Sequence, residues 1–320
     1  MKKILITGGA GFVGRRFVKH FLDRGDKVIC VDNIAKFTGG INPNKWILYN
    51  PYDYKNFKFH NEDCRNWFKK NKDTDIDYSL HLAAMVGGRK IIEDEPMIVA
   101  DDLSIDSSYW QWAVKARPKK TLCFSSSASY PISLQKKNSY RLLKEEDINL
   151  YKSIKLPDLT YGWAKLTCEY LAKIAFEKYN LKSICYRPFS GYGEDQDLSY
   201  PFPSICKRVI EKKNSKIINV WGSGYQMRDF IHIDDCVKAV VKSMNKIHNG
   251  DPLNLSTGKY TNFINFAKKA ANLFGTSPKV VGTSKTPEGV FARAGDTKKQ
   301  KKLGIKHSIT LEMGIKKSLE

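Results

Sequence analysis

Tyr161 and Lys165 are the residues whose types and spacing most directly suggest acid–base chemistry. They lie four positions apart in a segment expected to be helical, so both side chains project from one helix face. A free tyrosine, with a pKa of about 10, is too weak an acid to provide a base at neutral pH. A neighbouring ammonium group lowers that pKa. The pair therefore predicts proton transfer to and from a hydroxyl group.

Three glycines spaced three apart, Gly8, Gly11 and Gly14, predict a loop that binds a dinucleotide. The apolar strand Ile4–Thr7 precedes them and an amphipathic helix follows. Glycine allows the tight turn, the close approach of the backbone to a pyrophosphate and the close packing of helix on strand. The helix N-terminus turns its unpaired N–H groups towards the phosphates. Asp32 ends the next strand about 20 residues beyond, where a carboxylate can accept a hydrogen bond from a ribose 2′-hydroxyl.

Asp32 also bears on the choice between NAD and NADP. A 2′-phosphate would meet a carboxylate where it needs a cation, so Asp32 favours NAD. Arg15, Arg16 and Lys36 are close enough in sequence to supply such a cation. The sequence alone therefore favours NAD and leaves NADP open.

The order of elements predicts an α/β protein built on a Rossmann-type, doubly wound parallel sheet. Short apolar runs alternate with helix-length amphipathic segments through the first half of the chain, as in a parallel sheet covered on both faces. The expected strands are Ile4–Thr7, Val28–Val31, Phe57–His60, Tyr78–Leu82, Thr121–Phe124 and Ser183–Tyr186. Beyond residue 187 the sequence is richer in loops, so we expect a smaller C-terminal α/β domain there. Its expected elements are the helices Ile205–Lys212, Asp234–Asn245 and Phe263–Phe274 and the strand Ile217–Trp221.

Composition excludes several classes of protein. A chain of 320 residues with 42% hydrophobic content can form one large core, or a core and a smaller lobe. The first apolar run is too short for a secretory signal peptide, and no stretch approaches the roughly 20 apolar residues of a membrane helix. The seven cysteines are far apart, as buried thiols in a reducing compartment are. We expect a cytoplasmic protein without a membrane partner or a metal site.

The net charge of +21 invites a nucleic-acid interpretation. The charge is mostly lysine, however, and it is spread along the whole chain without an arginine-rich arm or a basic-aromatic module. We therefore expect no nucleic-acid partner. A basic surface would still attract a small anionic substrate.

Further motifs are distributed over nearly the whole chain. Besides the glycine loop, they are Asp63-Cys64-Arg65, His81-Leu82-Ala83-Ala84, Ser125-Ser126-Ser127, Tyr161-Gly162-Trp163-Ala164-Lys165, Arg187-Pro188-Phe189 and the run from Trp221 to Asp235. In combination they resemble the extended short-chain dehydrogenase/reductase family, to which nucleotide-sugar epimerases and dehydratases belong. The resemblance implies a NAD-binding domain at 1–187 with a return segment near 228–256, and a nucleotide-sugar-binding domain at 188–320.

The resemblance also implies the residues of the cofactor site. It places Lys165 on the nicotinamide ribose as well as beside the phenol of Tyr161. A positively charged nicotinamide would add to the effect of the lysine on that phenol. The expected NAD-binding residues are Gly8, Gly11, Phe12, Val13, Gly14, Asp32, Asn33, Asp63, Cys64, Leu82, Ala83, Ala84, Tyr161, Lys165 and Pro188.

A serine after the strand Thr121–Phe124 completes the implied catalytic set by bonding the substrate oxygen. Counting back from Tyr130-Pro131, which resembles GDP-fucose synthases, places this serine at Ser126. Counting from the triple serine, as in UDP-galactose 4-epimerases, gives Ser127. We take Ser126, Tyr161 and Lys165 as the predicted catalytic residues.

The residues after the serine distinguish the family's reactions. Dehydratases of the family carry Asp-Glu there, and the 3,5-epimerising types carry a cysteine where Ala128 stands. Neither is present. The remaining reaction is oxidation at C4 of the sugar, rotation of the 4-keto-sugar, and return of the hydride to the other face. A 4-dehydrogenase or reductase would use the same three residues, and a distant loop could supply the groups for 3,5-epimerisation.

The substrate side is implied mainly by arginines. Arg228, before Asp229-Phe230, and Arg293, before Gly295-Asp296, are candidates for the pyrophosphate. Arg89 is a candidate for an acidic sugar or a solvent-facing residue. The full predicted set is Met85, Gly87, Arg89, Ser127, Ser190, Arg228 and Arg293.

Two further expectations concern assembly and function class. By family likeness the protein would form a homodimer through the Tyr161 helix and the helix near Ile105–Ala116, as a four-helix bundle. The non-enzymatic alternative is a NAD-binding regulatory scaffold. An intact Ser126, Tyr161 and Lys165 set argues against it.

Overall fold

The computed structural model describes residues 1–36, 38–72, 75–283 and 289–318. In these ranges the helices are α1 (Phe12–Asp23), α2 (Cys64–Lys70), α3 (Arg89–Asp94), α4 (Pro96–Ala116), α5 (Leu159–Tyr179), α6 (Pro201–Glu211), α7 (Ile233–Ser243), α8 (Phe263–Leu273), α9 (Lys298–Lys302) and α10 (Leu311–Lys317). The strands are β1 (Lys3–Thr7), β2 (Lys27–Asp32), β3 (Phe57–Asn61), β4 (Tyr78–His81), β5 (Lys120–Phe124), β6 (Ser183–Pro188), β7 (Ser190–Tyr192), β8 (Ile217–Trp221), β9 (Met227–Arg228), β10 (Phe230–His232), β11 (Asn249–Leu255), β12 (Thr261–Asn262), β13 (Lys279–Thr283) and β14 (Ala292–Arg293).

Seven of these strands form one parallel sheet in the order β11-β6-β5-β4-β1-β2-β3. The six strands expected in the first half of the chain correspond to β1–β6, and the predicted α/β class is confirmed. The strand order reverses between β1 and β4, which places a crevice at the carboxyl ends of these two strands. The glycine loop leaves β1 at this crevice.

Two apolar cores cover the two faces of the sheet. On one face, α1 and α7 bury Phe17, Phe21 and Val240 against the strands. On the other face, α2, α4 and α5 bury Trp67, Tyr109 and their neighbours. Helix α5 packs on α4 and also on the turn Ser127–Ser129 that follows β5, which holds it against the carboxyl end of the sheet.

The second half of the chain returns to the sheet before it finishes the fold. Helix α7 packs on α1, and β11 pairs with β6, so residues of the segment near 228–256 belong to the first core. A third core lies among α6, α8, β8 and β13. We retain the division at 187 and 188, which falls at the end of β6, as a proposal. None of the helices in the described ranges is both long and apolar enough to cross a membrane.

Candidate active site

One cavity of about 680 Å³ opens at the carboxyl ends of the central strands. It runs from the glycine loop across the start of α5 to the elements after β6. Every predicted site residue contributes to its lining. These are Gly8, Gly11, Phe12, Val13, Gly14, Asp32, Asn33, Asp63, Cys64, Leu82, Ala83, Ala84, Met85, Gly87, Arg89, Ser126, Ser127, Tyr161, Lys165, Pro188, Ser190, Arg228 and Arg293.

The glycine loop is too crowded for side chains at two of its positions. Gly8 has φ +69°, and a Cβ there would lie 2.5 Å from the backbone nitrogen of Ala83. A Cβ at Gly14 would overlap the carbonyl oxygen of Gly8. Gly11 begins α1 without a side-chain cap, which leaves the first N–H groups of that helix facing the cavity. This bare cradle fits a dinucleotide pyrophosphate.

The carboxylate of Asp32 lies at the end of β2 on the rim of the cradle. Its two oxygens accept the backbone N–H groups of Ala10, at 3.0 Å, and Ile34, at 2.8 Å. Burial raises the pKa of Asp32. Its position beside the loop is the one that a ribose hydroxyl requires.

Arg15 and Arg16, which were candidates for binding the 2′-phosphate of NADP, pair instead with acidic residues of the protein. Arg15 Nη2 lies 3.1 Å from Asp195 Oδ2 in a buried ion pair, and Arg16 contacts both Asp195 and Glu194. The acidic partners belong to residues 193–199, which we call the strap. It runs from β7 towards the loop after β2. A Cβ added to Gly39 in that loop would lie 3.8 Å from the Cβ of Asp197. The strap thus crosses the cofactor side of the cavity.

Asp63 and Cys64 lie at the start of α2. The Asp63 side chain caps this helix by accepting the backbone N–H of Arg65, and the Arg65 guanidinium also binds it. The arginine holds the pKa of Asp63 below its usual range. Burial raises the pKa of Cys64 to about 12, so the group is a neutral thiol. These two residues can contact a ligand, but neither is suited to transfer a proton at neutral pH.

Ser126 is set by the short 3-10 turn Ser127–Ser129. Its Oγ accepts the backbone N–H of Ala128 at 3.1 Å, and Ser126 and Ser127 are both buried. The Ser126 side chain acts to lower the pKa of Tyr161, so it lies near enough to influence the phenol. This effect favours Ser126 over Ser127 as the catalytic serine.

Tyr161 and Lys165 occupy successive turns of α5, as the spacing predicted. The ammonium of Lys165 lies 5.6 Å from the centre of the Tyr161 ring. Burial raises the pKa of Tyr161, and Lys165 lowers it, with a net pKa above the ordinary value. The lysine thus acts in the expected direction, but burial outweighs it in the protein alone. A further positive charge, such as that of an oxidised nicotinamide, would act with the lysine.

Arg89 and Arg293 meet at a carboxylate that the motifs did not single out. Asp158, just before α5, lies 3.0 Å from Arg89 Nη1 and 2.7 Å from Arg293 Nη2. Arg89 also binds Glu93. Burial would raise the pKa of Asp158, but the two arginines hold it below its usual range. The Arg89 side chain is 32% exposed and paired, so both guanidinium groups are bound within the protein.

The remaining predicted substrate residues lie around the far half of the cavity. Arg228 donates to the carbonyl oxygens of Met227 and Val290, at 2.8 and 3.0 Å. Ser190 begins β7 and pairs with Phe230 of β10. Met85 and Gly87 follow β4, on the side of the crevice that faces α5.

The comparison with protein families identifies the class of the chain. Residues 4–256 match the model of the NAD dependent epimerase/dehydratase family. The protein belongs to this family. The expected resemblance and the expected cofactor, NAD, are thereby confirmed.

Relatives within this family catalyse more than one reaction. UDP-glucuronate 4-epimerase of Thermodesulfobacterium geofontis is 27% identical over 98% of this chain and 94% of its own length. GDP-L-fucose synthase of Sinorhizobium fredii is 22% identical over 100% of this chain and 95% of its own. The crystal structure of UDP-glucose 4-epimerase from Thermotoga maritima with UDP-glucose superposes with a TM-score of 0.82 at 24% identity, covering 99% of this chain and 97% of that one. This last likeness is one of fold.

The sequence analysis did not identify two buried carboxylates that pair with residues of the site. Asp158 joins two predicted arginines, and Asp102 on α4 contacts Lys165. A signal for Asp102 exists in the sequence. Asp102, Asp106 and Tyr109 recur at helical spacing on a stripe that is otherwise apolar, and charged residues on a buried stripe are rare unless paired. Within the described parts of the chain no cluster of His, Cys, Asp or Glu could hold a metal ion.

Proposed function

We propose that this protein is a NAD-dependent nucleotide-sugar 4-epimerase that acts through Ser126, Tyr161 and Lys165. The observation that carries the proposal is the meeting of these three residues in the cavity that the glycine loop opens into. The glycine cradle and Asp32 would hold NAD, which accepts a hydride from C4 of the sugar and returns it. The lobe beyond residue 187, with Arg228, would hold the nucleoside diphosphate.

In the proposed reaction the protein's own groups would transfer the proton and NAD would transfer the hydride. Ser126 would donate a hydrogen bond to the sugar 4-oxygen while Tyr161 removes its proton and later gives it back. Asp158 is the carboxylate nearest to Tyr161 along the chain, but it is committed to two arginines and its pKa is low. It is therefore a weak base for the abstraction of a proton from C3 or C5. This favours epimerisation at C4 over 3,5-epimerisation.

The strap favours epimerisation over net dehydrogenation. A dehydrogenase must exchange its cofactor in every turnover, whereas an epimerase regenerates it in place. The buried pair of Arg15 and Asp195 fastens the strap across the cofactor side of the cavity. Opening the strap would break this pair together with the contacts of Arg16 to Asp195 and Glu194, so we expect the strap to open slowly. Slow release of NAD suits an enzyme that returns its hydride.

The test uses the purified protein without added cofactor and a panel of UDP-, GDP- and dTDP-sugars in deuterated buffer. Products are followed by NMR and reduced nicotinamide by absorbance near 340 nm. We expect a C4-inverted product without deuterium at C3 or C5 and without net reduced cofactor. Deuterium at C3 or C5, loss of water, or stoichiometric reduced nicotinamide would instead indicate 3,5-epimerisation, dehydration or dehydrogenation.

The matched control for this test is Tyr161→Phe, which keeps the ring and removes the hydroxyl group. We expect turnover to fall by about 10²- to 10⁴-fold, the usual contribution of a positioned acid–base group. Binding of NAD and the unfolding temperature should stay close to those of the unmodified protein. Unchanged turnover would exclude Tyr161 as the proton carrier.

We also propose that the protein is a homodimer formed through α4 and α5. The two helices present Leu103, Trp163 and Tyr170, which are 42%, 44% and 44% exposed. Trp163 and Tyr170 are seven residues apart and therefore lie on one face of α5. Large apolar side chains left exposed on adjacent helices are typical of an interface.

A further inference from the structure

A side chain outside the recognised motifs holds Lys165. Lys165 Nζ lies 3.2 Å from Asp102 Oδ2, and the two side chains are 5% and 0% exposed. Asp102 lies on α4 and Lys165 on α5, so the pair joins the two helices. Asp102 Oδ1 accepts the backbone N–H of Met85, in the loop that follows β4 and lines the cavity. A single buried carboxylate therefore connects that loop to the lysine.

We propose that Asp102 is a positioning residue of the active site, whose carboxylate keeps Lys165 protonated and fixed one turn from Tyr161. The inference rests on the proposed function, in which Lys165 acts on the phenol. The inference extends the proposed function, because Tyr161 then faces an ion pair of Lys165 and Asp102 and not a lysine alone. No motif of the sequence contains Asp102.

The need for a counter-ion follows from burial. An ammonium group removed from water tends to lose its proton, because the low-dielectric interior solvates the charge poorly. Burial alone would lower the pKa of Lys165, but Asp102 and Asp106 raise it above its ordinary value. Burial raises the pKa of Asp102 to about 6, which still leaves the group ionised at neutral pH. Lys165 and Asp102 thus form a charged pair at neutral pH.

Asp106, one turn further along α4, is committed to another partner. Its Oδ1 lies 3.1 Å from His81 Nε2, and His81 Nδ1 lies 2.7 Å from the hydroxyl group of Thr7. Burial lowers the pKa of His81, so the ring is neutral and donates one hydrogen bond to Asp106. Asp106 adds negative potential at Lys165, whereas Asp102 makes the direct contact.

Replacing Asp102 with a neutral residue should lower the pKa of both groups that face it. A nearby negative charge stabilises the protonated form of each neighbour, so its removal lowers the pKa of both Lys165 and Tyr161. Other titratable or charged groups around the two residues stay in place. They are Asp106, His81, Cys168, Tyr200, Arg293, Asp158 and the Glu169–Arg187 pair.

The first test needs no substrate. In NAD-bound protein labelled with ¹³C at lysine Cε, the Lys165 signal is identified by its loss in Lys165→Met. In Asp102→Asn, which preserves side-chain shape, we expect Lys165 to lose its proton about one to three pH units lower than in the unmodified protein. Asp235→Asn, which removes a buried carboxylate from α7, is the matched control and leaves the Lys165 titration unchanged. Identical Lys165 titrations with and without Asp102 would overturn the proposal.

A second measurement requires no variant and covers the case in which Asp102→Asn does not fold. In the unmodified protein the Lys165 signal should titrate no lower than that of an ordinary lysine, because the charge of Asp102 offsets the effect of burial. A Lys165 pKa well below the ordinary value of about 10.4 would contradict the pairing.

The pH dependence of turnover separates this proposal from the proposed function. In Asp102→Asn the acid limb, set by Tyr161, and the alkaline limb, set by Lys165, should both move about one to three units to lower pH. A protein that shows the NMR shift but epimerises no nucleotide-sugar refutes the function and leaves the role of Asp102 standing. A protein that epimerises with an unmoved pH profile refutes the role of Asp102 alone.

Discussion

Ser126 and Ser127 are adjacent hydroxyl groups on the cavity wall with different surroundings. Ser126 caps the turn at Ala128 and acts to lower the pKa of Tyr161, so we expect it to be the serine beside the sugar 4-oxygen. We predict that Ser126→Ala lowers kcat by about 100-fold, as the loss of a positioned donor does. Its unfolding free energy should fall by about 1 kcal/mol through loss of the cap. Steady-state kinetics and urea unfolding measure the two effects.

Ser127→Ala is the matched control for this prediction. As a residue proposed to contact the sugar only for binding, Ser127 should affect KM more than kcat. The reverse pattern, in which the loss of the Ser127 hydroxyl group lowers kcat and that of Ser126 does not, would move the catalytic role to Ser127.

The residues of the site differ in how far sequence could predict them. Glycine at 8, 11 and 14 is demanded by local backbone geometry, and Tyr161 and Lys165 are related by helix periodicity, so both features were accessible without a structure. The pairing of Arg89, Arg293 and Lys165 with their carboxylates was not accessible, even though the helical spacing of Asp102 indicates that it is buried. Asp158 and Asp102 reach them from other elements, and a contact between elements depends on how those elements pack rather than on spacing along the chain.

At the scale of elements, α5 is tied to the sheet by a buried ion pair. Arg187 of β6 binds Glu169 of α5 through two hydrogen bonds, at 2.6 and 2.9 Å, and donates to Tyr130. We predict that Arg187→Met lowers the free energy of unfolding by about 3–5 kcal/mol, because the buried Glu169 loses its cation and is left with the hydroxyl group of Ser125. Urea unfolding at neutral pH measures this loss.

The double variant Arg187→Met/Glu169→Met tests the cause. It removes both charges and fills the space with apolar groups, so it should be more stable than Arg187→Met alone. A double variant that is no more stable than the single one would mean that the loss comes from packing and not from the isolated carboxylate.

The proposed dimer depends on the exposed faces of α4 and α5. We predict that Trp163→Glu converts a dimer of the 36.5 kDa chain into monomers, because a charge at the centre of an apolar interface lacks solvation. Analytical ultracentrifugation at micromolar concentration distinguishes the two states. Trp221→Glu alters a comparably exposed tryptophan, 55% exposed on β8, and should leave the dimer intact. An unmodified protein that sediments as a monomer would exclude the dimer.

Elements were predicted best where periodicity is strong; the return of the chain near 228–256 was implied only by the family resemblance, and β11 was not among the expected strands. The six strands β1–β6 lie close to their expected bounds. Helix α4 contains the expected segment near Ile105–Ala116 but begins earlier, at Pro96, a residue well suited to the first turn of a helix. The pairing of β11 with β6 joins residues that are distant in sequence, and the composition of a strand does not show which strand it will pair with.

For the molecule as a whole, the histidines predict how stability depends on pH. Burial lowers the pKa of His20, His60, His81, His232 and His248 in the folded protein. The unfolded chain therefore binds protons more tightly, and stability that is fully present above the ordinary pKa of about 6.5 is lost as pH falls below it. We predict that the histidines lower the free energy of unfolding by about 1 kcal/mol between pH 7.5 and 5.5, measured by urea unfolding, and that protonation of Asp102 in the folded protein offsets part of this decrease.

His81 provides the control, since it is almost fully buried between Thr7 and Asp106. In His81→Gln the decrease over the same interval should be smaller, because one of the titrating groups is gone. Equal decreases in the two proteins would assign the pH dependence to other groups.

The net charge of +21 acts on the approach of ligands. A basic surface raises the association rate of an anionic substrate, and added salt screens that attraction. We predict that kcat/KM for the nucleotide-sugar falls as ionic strength rises from about 0.01 to 0.15 M while kcat changes little. Sucrose, which is uncharged, is the control: added at matched viscosity, it should not lower kcat/KM in the same way. Tight polynucleotide binding that persists near 0.15 M salt would instead favour a nucleic-acid role.

The strap has a consequence for how the reaction responds to the cell around it. Under the proposed chemistry the electrons taken from one sugar are returned to the same sugar before Arg15 and Asp195 part. The final ratio of the two epimers then depends only on their own free energies. A large change in the cell's ratio of oxidised to reduced nicotinamide would therefore leave the equilibrium ratio of the two epimers unchanged.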